Sequence, residues 1–188
     1  MTQKLIAFTG LSGAGKTTFL ARLKTPTMQI LQAEEIIKSA RQTFGQAVSA
    51  VDDLRSADLG VNQDLLVGEF VRLKDRSAEI VVLDCHVVIE AESGLSRVEA
   101  AIFESIGITG MIFLRGSPEE IVRRREVDRS RRRAAGVASD LEEIQEIAHA
   151  HAQTICDLLR VPLTTVFLGD DNAATERELR SLLSPVDQ

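Results

Sequence analysis

A glycine-rich stretch near the N-terminus has the residue types and the spacing that bind phosphate groups. Residues 10–17 read GLSGAGKT, which matches the pattern G-x-x-x-x-G-K-[ST]. Glycines let such a loop curl with positive φ, so that backbone amides can approach phosphate oxygens. A helix that begins near Gly15 would direct its positive end at the same anion. The pattern predicts a nucleotide-binding loop formed by Gly10, Ser12, Gly13, Ala14, Gly15, Lys16, Thr17 and Thr18.

Polar side chains in and near this loop indicate magnesium-dependent phosphate chemistry. We expect Lys16 to place its charge on the β- and γ-phosphates of ATP, and the Thr17 hydroxyl to ligate Mg²⁺. Asp84 directly follows the apolar run 80–83, and a carboxylate at the end of a buried strand can hold the water shell of the metal beside Thr17. The alternative for Asp84 is a turn cap. His86 either contacts the acceptor substrate or is a hydrogen-bonded structural histidine.

An arginine-rich segment is the second candidate site. Within it, R-x-x-x-D-x-x-R-x-R is formed by Arg124, Asp128, Arg131 and Arg133. Phosphoryl transfer needs positioning and charge neutralisation, and arginines on a closing flap supply both while they exclude water. A solvated helix face explains about half of the arginines in this segment. The candidate catalytic residues are Lys16, Asp84, Arg124, Arg131 and Arg133.

Candidates for binding a phosphate acceptor lie between the loop and Asp84. Arg55 either binds the phosphate of the acceptor or forms a surface ion pair with Asp52 or Asp53. Gln63 begins a predicted helix, where it faces the acceptor or simply belongs to the helix cap. The predicted partners are thus a nucleotide and a small phosphorylated acceptor.

The charge distribution excludes a general nucleic-acid binder. Lys and Arg number 22 against 28 Asp and Glu, so the net charge is −6. Residues 115–133 hold eight Arg and four acidic residues, a balance of +4, which leaves −10 for the rest of the chain. Nucleic-acid affinity comes mainly from broad phosphate neutralisation, and the absence of Trp and Tyr argues against stacking platforms. One basic segment on an acidic chain suits a small polyanion instead.

Composition places the chain among cytoplasmic globular proteins. It has 188 residues, 44% of them hydrophobic, which is the size of one domain with its own core. No apolar run approaches the roughly 20 residues of a membrane helix, and the N-terminal run is too short for a signal-peptide core. Cys85 and Cys156 are expected to be reduced thiols. The oligomeric state is left open.

Apolar runs alternate with helical patterns along the whole chain. Such alternation predicts a parallel sheet with helices on both faces, and ligands at the carboxyl ends of the strands. Ser117 is expected to cap a helix whose capping box Glu120 completes. The predicted strands are 5–8, 28–31, 80–83, 108–114 and 163–168. The predicted helices are 17–24, 33–44, 62–74, 98–106, one from 117, 140–159 and 173–183, with a weak one within 46–61.

Four segments together resemble the archaeal-type adenylate kinases and related P-loop nucleoside monophosphate kinases. They are GLSGAGKTT, VVLDCHVVI, SPEEIVRRR with its arginine pattern, and LEEIQEIAHAHA. The resemblance covers about residues 4–170. It implies an α/β fold of the P-loop NTPase type, a three-layer α/β/α sandwich with a five-stranded parallel sheet in a single domain. It also implies an acceptor-binding insert at about 33–75 and a lid at about 124–140.

The resemblance implies Mg²⁺-dependent transfer of the γ-phosphoryl group of ATP to a nucleoside monophosphate. Lys16 and Thr17 would take the donor phosphates and the metal, Arg55 the acceptor phosphate, and Arg124, Arg131 and Arg133 would belong to the lid. The loop 169–172 would lie near the donor base. Residues 28–40 lack a clear match to the acceptor-site pattern of those enzymes.

Two other functions remain open on the sequence. One is a metabolite kinase with an alcohol acceptor, which needs a carboxylate base, for which Asp84 and Glu90 are the candidates. The other is an ATP-dependent switch or assembly factor, whose slow hydrolysis drives binding of a partner.

Overall fold

The described chain contains seven strands and seven helices. The computed structural model describes residues 3–43, 59–91, 94–127, 137–168 and 172–184. The strands are β1 (Lys4–Thr9), β2 (Met28–Gln32), β3 (Ile80–Asp84), β4 (Val88–Ala91), β5 (Gly94–Arg97), β6 (Gly110–Gly116) and β7 (Leu163–Leu168). The helices are α1 (Lys16–Leu23), α2 (Ala33–Thr43), α3 (Leu59–Leu73), α4 (Ala100–Ile106), α5 (Pro118–Val127), α6 (Ala138–Leu159) and α7 (Asn172–Leu182).

Five of these strands form one parallel sheet in the order β2-β3-β1-β6-β7. β1 lies at the centre, and its register places Phe8 beside Asp84 of β3. Because the strands are parallel, their carboxyl ends meet at one edge of the sheet. The predicted α/β fold and its five-stranded parallel sheet are confirmed.

Alternate residues of the central strands supply two separate cores, one on each face of the sheet. On one face, Phe8 and Val82 pack with side chains of α1 and α7, such as Phe19 and Leu179. On the other face, Leu83 and its neighbours pack against α2, α3, α4, α5 and α6. Strands covered on both faces carry near-continuous apolar runs, which is why the sequence pattern located them well.

A two-stranded antiparallel hairpin, β4 and β5, is absent from the sequence prediction. Its second strand reads GLSR and has no β-branched residue, so the usual strand signal is missing. The predicted helix 98–106 begins later, at Ala100. The predicted helix 62–74 begins earlier, at Leu59, whereas most of the expected weak helix at 46–61 lies outside the described residues.

The start of α5 differs from the predicted capping box. The Glu120 amide lies 3.5 Å from Ser117 Oγ, at the limit of a hydrogen bond. The Glu120 carboxylate pairs with Arg123 at 2.6 Å, because an arginine three residues later on a helix is within its reach. Of the predicted insert and lid, α2, α3 and residues 124–127 and 137–140 are described, and both assignments stay predictions. No helix in the described ranges is long and apolar enough to cross a bilayer.

A buried amide side chain joins the long helix α6 to the end of β6. Gln145 is fully buried, and its side chain accepts a hydrogen bond from the Gly116 amide and donates one to the Gly116 carbonyl, both at 3.0 Å. These bonds satisfy two backbone groups where β6 gives way to α5. Gln145 therefore sets the direction in which the chain enters α5.

We predict that Gln145→Met lowers the free energy of unfolding by about 2–4 kcal/mol, because two buried backbone groups lose their partners. Urea unfolding measures the change. Gln153→Met is the matched control, since Gln153 is an exposed residue of the same helix whose amide donates to the exposed side chain of Asp157. Equal stability of the two variants would contradict the role assigned to Gln145.

Candidate functional site

The glycine-rich loop turns at three glycines that adopt positive φ. The φ angles of Gly10, Gly13 and Gly15 are 143°, 93° and 97°. A Cβ at Gly10 would lie 2.4 Å from the carbonyl oxygen of Leu114, so only glycine fits there. Among the described residues, the amides of Gly13 and Gly15 have no protein acceptor, whereas the Ala14 amide bonds to the Leu11 carbonyl at 3.1 Å. The loop thus presents amides and the start of α1 to an anion.

Two neighbouring arginines of α5 bind the carbonyl groups of the loop. Arg124 Nη1 donates to the carbonyls of Gly13 and Ala14, at 3.3 and 3.1 Å. Arg125 Nε donates to the Ser12 carbonyl at 3.0 Å. A peptide group that turns its N–H toward a ligand turns its C=O away, and a buried carbonyl needs its own donor. Arg124 and Arg125 supply those donors.

Lys16 is buried beneath the loop with its ammonium group on loop carbonyls. Lys16 Nζ donates to Gly10 O at 3.2 Å and to Leu11 O at 3.3 Å. His86 Nδ1 lies 2.9 Å from Gly10 O, and since a carbonyl can only accept, Nδ1 must carry a hydrogen. The 3.5 Å approach of Lys16 Nζ to the same Nδ1 is therefore a contact of two donors, with no hydrogen bond between them. His86 therefore stabilises the loop and also forms part of the wall of the site.

Thr17 and Asp84 meet at the carboxyl edge of the sheet. Thr17 Oγ1 donates to Asp84 Oδ2 at 2.9 Å. Mg²⁺ binds oxygen at 2.0–2.1 Å in an octahedron, so two adjacent ligands stand about 2.9 Å apart. The spacing and the chemistry of this oxygen pair fit such an ion. Within the described ranges, no group of three or more His, Cys, Asp or Glu side chains is arranged to hold a metal ion, so a metal here would also need phosphate oxygens and water.

Cys85 adjoins the site but is chemically inert. It is buried, and burial together with the Asp84 charge raises the pKa of its thiol to about 12. A thiolate is the reactive form, so almost none is present at neutral pH. Burial likewise raises the pKa of Cys156 to about 11.

Two pockets open side by side at this edge of the sheet. The first, here called the loop pocket, is lined by Gly13, Lys16, Thr17, Asp84 and Arg124 among others. The second, the apolar pocket, is lined mainly by side chains of α2, α3, α4 and the β4–β5 hairpin, including Ile37, Leu66, Val88, Ile89 and Phe103. The two pockets share a wall made by Ser12, Ala33, Glu34, Cys85 and His86.

The structure brings some predicted site residues together and does not describe others. Arg124 lines the loop pocket, and Gln63 lines the apolar pocket. Gln63 lies inside α3 rather than at its start, so the capping alternative fails for it. The remaining predictions lie outside the described residues, and they are Arg55, Asp128, Arg131, Arg133 and most of the loop 169–172.

Three polar residues of the site were not singled out by sequence analysis. Glu34 is the second residue of α2 and lies on the wall that both pockets share. Asn62 is buried at the apolar pocket and accepts a hydrogen bond from Arg41 Nε at 2.7 Å. Arg125, which is not part of the predicted arginine pattern, is buried and pairs with Glu90. No local signal marks them, because their neighbours come from distant parts of the chain.

We predict that Gly10→Ala lowers the free energy of unfolding by about 2–5 kcal/mol and abolishes nucleotide binding, since the new methyl meets a backbone oxygen. Gly94→Ala is the control, because Gly94 also has positive φ, 116°, but open space around it. It should cost only about 1–2 kcal/mol. Thermal unfolding and titration with a fluorescent ATP analogue measure both; retained binding in Gly10→Ala would refute the assigned loop geometry.

Comparisons with known proteins agree with this geometry. A family described as "AAA domain" matches residues 9–145. The chain is 27% identical over 167 residues to an adenylate kinase of Methanococcus aeolicus, which covers 82% of this chain and 83% of the relative. It is 28% identical over 149 residues to an adenylate kinase of Thermoplasma acidophilum, covering 77% and 78% of the two chains.

A solved structure shares the fold. It is described as the crystal structure of TT1252 from Thermus thermophilus, and it matches with a TM-score of 0.54 at 18% identity, covering 100% of both chains. With the glycine-rich loop placed at the carboxyl edge of a five-stranded parallel sheet, the chain belongs to the AAA domain family of P-loop proteins and is a distant relative of archaeal adenylate kinases.

Proposed function

We propose that the protein is a phosphotransferase that moves the γ-phosphoryl group of ATP to a nucleoside monophosphate, with Mg²⁺ as its metal. The observation that carries the proposal is the pair of pockets with a common wall. A phosphate-binding loop alone would suit any P-loop protein. A second, mostly apolar pocket beside it provides a place for the base of an acceptor.

The residues of the loop pocket would position the donor. The amides of Gly13 and Gly15 and the Lys16 ammonium bind its phosphates. Thr17 and Asp84 would hold Mg²⁺, which when bound would supply positive charge to the donor phosphates. A Cβ added to Gly15 would lie 2.9 Å from Arg124 Nη1. The Arg124 side chain therefore already lies beside Gly15 and can reach an anion in the loop. Arg131 and Arg133 are proposed to act with it from the lid.

The acceptor needs no general base in this reaction. An oxygen of the monophosphate attacks the γ-phosphorus, the bond from that phosphorus to the β-phosphate oxygen breaks, and ADP leaves. In the described part of the chain, the polar lining of the apolar pocket consists of Ser12, Glu34, Asn62, Gln63, His86 and Glu90. None of these is a fixed cation, so we propose that Arg55 binds the acceptor phosphate.

We predict that one or more of AMP, CMP, GMP and UMP stimulates ADP formation from ATP and Mg²⁺ in a coupled assay. Lys16→Ala should lower kcat/KM by about 10²–10³-fold, because a charge aimed at the transferring group is lost. Lys24→Ala is the control, since Lys24 is an exposed residue just after the same helix. If no monophosphate stimulates turnover while Lys16→Ala abolishes ATP binding, the kinase proposal is wrong although the P-loop stands.

A second candidate function, transfer to an alcohol, is favoured by the position of Glu34. Such a reaction needs a carboxylate near the acceptor hydroxyl and the donor phosphate at once. Asp84 lines the loop pocket and Glu90 lines the apolar pocket, so neither carboxylate borders both pockets. Glu34 lines both pockets and replaces them as the candidate.

The two functions predict different effects of Glu34→Gln on kcat. With a phosphate acceptor, kcat should stay within about tenfold of the unchanged protein; with an alcohol acceptor, it should fall by about 10²–10⁴-fold. Glu35→Gln serves as the control, because Glu35 is the exposed neighbour on α2. Single-turnover kinetics with saturating ATP and the best acceptor from a screen of monophosphates and small alcohols decides between them.

A further inference from the structure

One buried guanidinium group connects the glycine-rich loop to the wall of the apolar pocket. Arg125 has a side chain that is 1% exposed, although it sits in a run of three arginines. Its Nε donates to the Ser12 carbonyl in the loop at 3.0 Å. Its Nη1 and Nη2 donate to the two carboxylate oxygens of Glu90, at 2.9 and 2.6 Å. Three donors of one side chain thus serve two separate elements.

Both ends of this connection belong to the site. Glu90 lies on β4 and lines the apolar pocket next to Val88 and Ile89. At the other end, the stem of Arg125 touches the loop, since a Cβ on Gly13 would lie 3.3 Å from Arg125 Cγ. Gly13 is one of the loop glycines whose amide faces no protein acceptor among the described residues. Arg125 therefore holds the loop from behind while Glu90 holds Arg125.

The planar fork of a guanidinium makes this arrangement specific. A two-point Arg–carboxylate pair fixes the orientation of the guanidinium plane, and that plane also contains Nε. If Glu90 moves, the Nε–H that serves Ser12 must tilt with it. A lysine could not do the same, because its donors radiate from a single nitrogen. The geometry therefore transmits a displacement of β4 directly to the backbone of the loop.

We propose that the Arg125–Glu90 pair is a positioning device that couples occupancy of the apolar pocket to the phosphate affinity of the loop. A ligand that packs on β4 in the apolar pocket holds Glu90, Glu90 orients Arg125, and Arg125 keeps the Ser12–Gly13 segment shaped for phosphate. By linkage, nucleotide in the loop must raise the affinity of the apolar pocket by the same factor. The inference rests on the proposed function for the identity of the two ligands only.

The decisive measurement is the affinity for a ligand that never touches Glu90. We expect Glu90→Gln to weaken binding of Mg²⁺ and a non-hydrolysable fluorescent ATP analogue by about 5–150-fold, the usual range of a coupling between sites. Glu69→Gln is the matched control, because it breaks the exposed pair between Glu69 and Arg72 on α3. Other residues of α3 line the apolar pocket. Analogue affinity within twofold of the unchanged protein in Glu90→Gln would overturn the proposal.

A second variant separates positioning from stability. Replacing the pair by apolar residues, Arg125→Met with Glu90→Leu, can restore a packed core without charge. We expect this double variant to remain folded, with a urea midpoint lowered only by the loss of the Arg125 donor to the Ser12 carbonyl, and to bind the analogue at least fivefold more weakly. Full analogue affinity in a stably folded double variant would show that the pair is structural only.

The coupling between the two pockets is measured by titrating the protein with the analogue, in the presence and in the absence of the monophosphate that best stimulates turnover. In the unchanged protein the monophosphate should tighten analogue binding, and in Glu90→Gln that effect should disappear. An undiminished effect in Glu90→Gln would overturn the inference. Failure of the proposed function shows itself elsewhere, as the absence of monophosphate-stimulated turnover in the unchanged protein. In that case the analogue affinity of Glu90→Gln alone still decides the inference.

Discussion

The carbonyl groups of the glycine-rich loop need hydrogen-bond donors, and the rest of the site follows from how that need is met. A backbone that offers its amides to a ligand turns its carbonyls toward the protein, where water cannot serve them. Arg124 and Arg125 occupy successive positions on α5, about 100° apart around the helix, and so reach different carbonyls. The loop can keep its shape only while α5 is in place, and Gln145 fixes where α5 begins.

Parallel pairing of the strands places the remaining chemistry at the same edge. Phe8 of β1 is in register with Asp84 of β3, so the carboxylate at the end of one strand meets the loop that follows the other. Thr17 is the second residue of the helix that follows this loop, and its hydroxyl is then 2.9 Å from the Asp84 carboxylate. The β4–β5 hairpin leaves β3 just beyond this point and forms one wall of the apolar pocket. Two pockets with a common wall are the direct result of this topology.

Local signals in the sequence were sufficient for the features that depend on neighbouring residues. The loop could be read because its glycines, lysine and threonine stand within eight positions, and the buried strands because their apolar runs are continuous. The β4–β5 hairpin could not be predicted from the sequence, since its pairing rests on contacts with the rest of the fold rather than on β-propensity. Helix ends were wrong by two to three residues at α3 and α4, where no strong cap marks the boundary.

By itself, the sequence determined that a phosphate-binding loop lies between a strand and a helix, that a carboxylate follows a second buried strand, and that arginines crowd one segment. Only the tertiary structure decided which arginines belong to the site. Arg123 is an exposed partner of Glu120, whereas Arg125, two residues later, is buried between Ser12 and Glu90. These two arginines share one residue type and one helix. Their environments differ because Ser12 and Glu90 lie more than 30 residues away along the chain, and such distant neighbours leave no periodicity or spacing to be read.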